Sequence, residues 1–104
     1  MIMMTKDLLL ITGENEISII NVNNYKLRIL NVPGANYING VCILNQNILL
    51  TGDVNAIKQW RIEGDNLILI YKKEKAHDGT IADLLNLGNG HIASCSGDKT
   101  IKVW

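Results

Sequence analysis

Three stretches of the chain repeat one pattern, and that repetition limits the fold more than any other feature. LLLITGENEISIINV starts at Leu8, NILLTGDVNAIKQWRI at Asn47 and GHIASCSGDKTIKVW at Gly90. Each reads as an apolar strand, small residues, a turn with glycine and an acid, and a second strand with Ile at its middle. Gly13, Gly52 and Gly97 are spaced 39 and 45 residues apart, and Trp60 and Trp104 are 44 apart. Ile57 and Ile101 are also 44 apart, each followed by a lysine, Lys58 and Lys102. A period of this size marks a supersecondary unit stacked on copies of itself, because one such unit cannot bury its own apolar face.

Within the units the apolar runs are short and regularly punctuated. Ile occurs 16 times, Leu 13 and Asn 13, and Phe is absent. Branched Ile suits a pleated strand, and Asn suits turns because it tolerates left-handed backbone. About ten runs of five to seven residues alternate with loops of two to five, the lengths that join antiparallel neighbours. No stretch of ten residues keeps helical spacing. Tyr71 to Ala76 could hold a helical turn, but its length and Gly79 weigh against it. The long crossovers of a parallel sheet are missing. The predicted class is all-β, an up-and-down antiparallel meander.

Composition narrows the function. Ten Lys+Arg balance ten Asp+Glu in 104 residues, with 47% hydrophobic and 19% charged. That excludes a disordered tail and argues against a nucleic-acid binder working by bulk charge. Cys42 and Cys95 have no CxxC spacing and make no disulfide framework. The start, MIMMTKDLLLI, lacks a basic residue before its apolar ones and is interrupted by Lys6 and Asp7, unlike a signal peptide. No apolar run approaches a membrane span. The expectation is an intracellular, cytoplasmic protein with reduced thiols and no membrane partner.

The third unit carries a more specific pattern. It runs Ala76-His77, then Ile81-Ala82-Asp83-Leu84, then Gly90-His91-Ile92-Ala93-Ser94-Cys95-Ser96-Gly97-Asp98-Lys99-Thr100-Ile101-Lys102-Val103-Trp104. This resembles the WD-repeat β-propeller family. His77 stands at the His of the family's Gly-His dipeptide, with Ala76 in place of the Gly. Trp104 stands at the Trp of the Trp-Asp ending. The second unit matches less fully: Trp60 is followed by Arg61, Gly34 lies near the Gly-His position, and its turn is one residue shorter. The first has Ile20 where Trp would be.

The resemblance implies four-stranded blades with strands a to d running outward from a central axis, about two and a half blades in all. A partial blade would span 8–33, with strands b, c and d at 8–12, 17–22 and 25–31 and no identifiable strand a. A full blade would span 34–75, with strands at 38–44, 48–51, 56–62 and 66–71. A blade lacking its last strand would span 76–104, with strands at 80–87, 91–95 and 100–104.

Several residue sets look like chemistry. His77, Ser94 and Asp98 are the residue types of a hydrolase triad, which needs a hydroxyl beside an oriented base and an oxyanion hole. The resemblance implies instead a buried structural tetrad of His77, Ser94, Asp98 and Trp104, in which every polar group is paired. His77, Asp78, His91 and Cys95 could ligate a metal, but none has zinc-type spacing, so neither metal nor cofactor is expected. Gly88-Asn89-Gly90 and Gly97-Asp98-Lys99-Thr100 lie between strands, as hairpin turns do, and not between a strand and a helix as a phosphate loop does. The run Lys72 to Lys75 is too short for a nucleic-acid patch.

The resemblance also implies that the d–a and b–c connections form one face that receives partners. That face would carry Glu14, Asn15 and Glu16, Ala35, Asn36 and Tyr37, Asp53, Val54 and Asn55, and Asp78, Gly79 and Lys99. Acidic, amide and aromatic groups together suit a polar protein or peptide. The expected function is a non-catalytic protein–protein interaction scaffold. One alternative is a fragment of a longer propeller without autonomous function. Another is a catalytic or sugar-binding propeller, for which only Asp83 and His77 stand near the channel. Propellers have about four to eight blades, so the isolated chain is expected to self-associate into a closed ring or to fold poorly.

Overall fold

The computed structural model describes residues 2–4, 6–34 and 37–104. It contains eleven strands: β1 (Ile2–Met4), β2 (Leu8–Thr12), β3 (Glu16–Asn21), β4 (Leu27–Asn31), β5 (Gly40–Ile43), β6 (Ile48–Gly52), β7 (Ile57–Glu63), β8 (Asn66–Lys73), β9 (Ile81–Gly88), β10 (His91–Ser96) and β11 (Ile101–Val103). Strands β1 to β4 pair antiparallel in chain order, as do β5 to β8 and β9 to β11. A single parallel bridge, Asn31 with Asn66, joins the outer strands β4 and β8. The class is all-β, with two four-stranded blades followed by three strands of a third.

The blades are held by two apolar slabs. Leu10, Ile17 and Leu30 of the first blade pack on Val41, Leu49, Trp60 and Leu67 of the second. Cys42, Leu50 and Ile57 of the second pack on Ile81 and Leu84 of the third. Consecutive residues therefore go to different neighbours: Val41 and Leu49 face backward, Cys42 and Leu50 forward. Since successive strand side chains point to opposite faces, the inner strands β5 and β6, packed on both sides, are apolar on both faces, which explains the weak alternation there. Gly52 is fixed by this packing, because a Cβ there would sit 2.5 Å from Ile81 Cγ2.

Local chemistry sets the strand ends. The start expected at Tyr25 moves to Leu27, because the asparagines close a turn first. Asn21 accepts the Tyr25 N–H on its carbonyl and the Asn23 N–H on its side chain, and Asn24 Oδ1 accepts the Lys26 N–H. Tyr25 takes a left-handed φ of 58° within that turn. Strand β8 continues through Lys72 and Lys73, which pair with Lys58 and Ile57; no helix forms there. The inner strand that the sequence did not identify in the first blade is β1, whose residues pair with Leu9 to Ile11.

Apolar faces at both ends of the blade series remain uncovered among the described residues. The outward face of the first blade shows Ile11, Leu27 and Ile29, and that of the third shows Leu85, Ile101 and Val103. No described strand flanks the outer edge of β11. No helix among the described residues is long and apolar enough to cross a membrane.

Candidate functional site

The β8–β9 connection carries His77 into the third blade, against side chains from β10 and the β10–β11 turn. The His77 Nδ1–H is shared between Asp98 Oδ2 and Thr100 Oγ, each at 3.0 Å. The Ser94 hydroxyl donates to His77 Nε2 at 2.7 Å, and Trp104 Nε1–H donates to Ser94 Oγ at 2.9 Å. Asp98 also accepts the Thr100 hydroxyl at 2.5 Å, the Thr100 N–H at 2.8 Å and the Asp78 N–H at 3.1 Å. These donors, the Thr100 hydroxyl first, hold its carboxyl well below the usual carboxylate range. An anionic Asp98 places the imidazole proton on Nδ1 and leaves Nε2 to accept. His77 and Ser94 are each 1% exposed. The serine oxygen is buried and accepts from the indole.

The second blade builds its buried polar contacts differently. Trp60 Nε1–H donates to Thr51 Oγ at 2.9 Å. Asp53, in the β6–β7 turn, accepts the Ala56 N–H on Oδ1 and pairs through Oδ2 with the Lys58 ammonium at 3.3 Å. Lys58 also reaches the Gly34 carbonyl at 3.5 Å. Its counterpart Lys102 reaches the Ala76 carbonyl at 2.7 Å. Sequence reasoning missed this role for Lys58, which a charged strand residue does not advertise. The 44-residue repeat of Lys58 and Lys102 was the signal that could have found it.

The d–a and b–c connections gather at one end of the sheets. Val32 N–H donates to the Asn15 carbonyl, Tyr37 N–H to Glu14, Ala76 and His77 N–H to Asn55, Ile81 N–H to Asp53 and Gly97 N–H to Thr80. Gly79 allows the close approach in the third blade, where a Cβ would lie 2.8 Å from the Asp98 nitrogen. Glu14, Asn15, Tyr37, Asn55, Asp78 and Lys99 are exposed at this end, whereas Asp53 is buried at its floor. Ala35 and Asn36 lie outside the described residues. Tyr37, Lys75 and Lys99 all hold left-handed backbone, with φ of 59°, 52° and 71°.

No group of three His, Cys, Asp or Glu side chains gathers as a metal site among the described residues. His91 Nδ1 lies 3.3 Å from the Trp104 carbonyl instead. Burial between the second and third blades, reinforced by Asp83, pushes the Cys42 thiol up to about 11.

No family model matches the chain, and no curated protein matches it. Among solved structures 53 chains are similar. One is a chain in the crystal structure of the mitotic checkpoint complex, with a TM-score of 0.72 at 13% identity. The match covers 99% of this chain and 36% of that one, so this chain spans about a third of its neighbour's length. The likeness shows the fold: this is part of a β-propeller.

Proposed function

We propose that the chain is a non-catalytic protein-interaction module, a stretch of WD-repeat propeller that presents its d–a and b–c connections to a polypeptide partner. The repeat units are a first blade, which the sequence pattern confines to 8–33 and β1 extends to a fourth strand, the full blade of 34–75 and the open blade of 76–104. One observation carries the reading: the exposed groups Glu14, Tyr37, Asn55, Asp78 and Lys99 sit on connections tied together by backbone hydrogen bonds. A rigid scaffold bearing polar loops is the usual setting for recognition. His77, Ser94, Asp98 and Trp104 act as a structural tetrad that pins the third blade, since the serine and histidine have no access to substrate. The occurrence of a similar fold in a multi-protein complex supports a protein partner.

The test compares two faces. Glu14→Lys, Asp78→Lys and Lys99→Glu together reverse the loop end; Lys26→Glu and Asn47→Lys alter the opposite end. Quantitative affinity capture should lose its retained proteins with the first set and keep them with the second. Equal loss with both overturns the assignment of the face. A hydrolase activity abolished by His77→Ala would overturn the non-catalytic reading.

Self-association belongs to the same proposal. The uncovered faces around Ile11, Leu27 and Ile29 and around Leu85, Ile101 and Val103 are apolar at opposite ends of the blade series. Burial against another copy would remove them from water. Size exclusion with light scattering should report a multimer, and a cooperatively unfolding monomer at high concentration would refute it.

A further inference from the structure

We propose that the groove between the β6–β7 turn and the end of β8 binds an extended acidic peptide segment. This rests on the interaction-module reading above and names the chemistry that one part of the loop end recognises.

The groove encloses about 330 Å³ and is bounded by Asp53, Val54 and Asn55 on one side and Lys72, Glu74 and Lys75 on the other, with Lys58 within. That volume accommodates a few side chains. Its walls are fixed by the backbone. Asp53 and Ala56 close the turn on each other, and the Asn55 carbonyl accepts both the Ala76 and His77 N–H groups. The second wall is therefore tied to the first immediately after Lys75, which keeps a left-handed φ of 52° without being glycine. Such a conformation persists only where its surroundings enforce it.

Charge defines the ligand. Lys58 is neutralised by buried Asp53. Lys72 is paired with Glu74 at 2.9 Å, but Glu74 is 72% exposed, and an exposed pair of this kind holds weakly. Lys75 has no ion-pair partner among the described residues. Three lysines against two acids leave one net positive charge, centred on the rim at Lys75. A ligand carboxylate fits there and can draw Lys72 from Glu74. Val54, exposed on the opposite wall, offers an apolar contact to the neighbouring ligand residue. A phosphate backbone suits the groove less well, because binding one draws on a row of unpaired cations, whereas Lys58 and Lys72 are each already paired with an acid.

The test uses the full chain and a fluorescein-labelled peptide of alternating Glu and Leu, followed by anisotropy. The Glu peptide should bind, its Gln counterpart roughly fivefold more weakly, and added salt should weaken the acidic peptide alone. Lys72→Gln with Lys75→Gln should lose roughly fivefold, and Lys75→Glu at least as much. Lys26→Gln, at the opposite end, should change nothing. Thermal unfolding of each variant checks that these exposed changes leave the fold intact. Absent binding, equal binding of the Gln peptide, or indifference to both Lys75 variants overturns the proposal. So does complete competition by inorganic phosphate or preference for a single-stranded oligonucleotide. If the loop-face variants lose their captured proteins while the acidic peptide fails to bind, the groove falls and the interaction module stands. If the loop-face variants also retain those proteins, both fall.

Discussion

The second and third blades face the same problem and solve it with different parts. Each must pair an indole N–H, from within its third strand at Trp60 and just past it at Trp104, and each supplies a hydroxyl from the strand beside it: Thr51 for Trp60 and Ser94 for Trp104. In the third blade the hydroxyl donates a hydrogen bond to His77, and His77 donates in turn to Asp98. In the second blade the chain of bonds stops at Thr51, and the turn acid Asp53 is taken by Lys58 instead. The lysine that reaches back to the preceding connection is present in both. The difference teaches that the indole–hydroxyl bond and the lysine tie are common to these two blades, while the turn acid pairs with a strand lysine in one and a connection histidine in the other.

The comparison can be broken most forcefully at the indoles. Trp60 is 2% exposed with β8 beside it, and Trp104 is 36% exposed without such a strand. Trp60→Ala should destabilise by about 3–5 kcal/mol, and Trp104→Ala by less than half as much in denaturant unfolding. Equal losses would mean that the third blade is as closed as the second. Next come the hydroxyl partners. His77→Ala strands the Ser94 hydroxyl in the core and should remove about 2–3 kcal/mol, whereas Thr51→Val strands one indole N–H and should remove about 1–2 kcal/mol.

The buried pair of the second blade should show smaller, coupled effects. Lys58→Met and Asp53→Asn should each remove about 1–2 kcal/mol, and the double variant less than their sum. Strict additivity would separate the two groups. Asp98→Asn sharpens the same contrast through pH. The folded-state pKa of Asp98 is depressed, so its stabilisation is complete above the ordinary carboxylate range and is lost as pH falls below about 4. The melting temperatures of wild type and Asp98→Asn should therefore differ near neutrality and converge in acid. The mildest probe alters no contact. At about pH 8 a thiol reagent should label Cys95 and spare Cys42, whose thiol is protonated and buried.

Much of this fold could be read from the chain because turns write themselves in residue types. Gly13-Glu14, Gly52-Asp53 and Gly97-Asp98 mark the connections between strands b and c, and the Ile-rich runs between breakers became strands. The strand β1 could not be read in this way: it spans three residues, two of them Met, and owes its pairing to β2 rather than to its own propensity. Which face each side chain takes was also hidden, because a strand packed on both sides carries no alternation. At the candidate site, His77, Ser94, Asp98 and Trp104 could be named together through the repeat. The burial of Asp53 could not, because a turn acid reads as solvated until the strand lysine opposite it is known.

The hydrogen bonds that close each unit have a kinetic consequence. Trp60 meets Thr51 nine residues away, Lys58 meets Gly34 at 24, His77 meets Asp98 at 21 and Lys102 meets Ala76 at 26. All of these contacts stay within one repeat, so the loop each must close is short and its entropy loss small. A growing chain can thus set the register of one unit when its third strand emerges, and leave the apolar slabs to join units that are already formed.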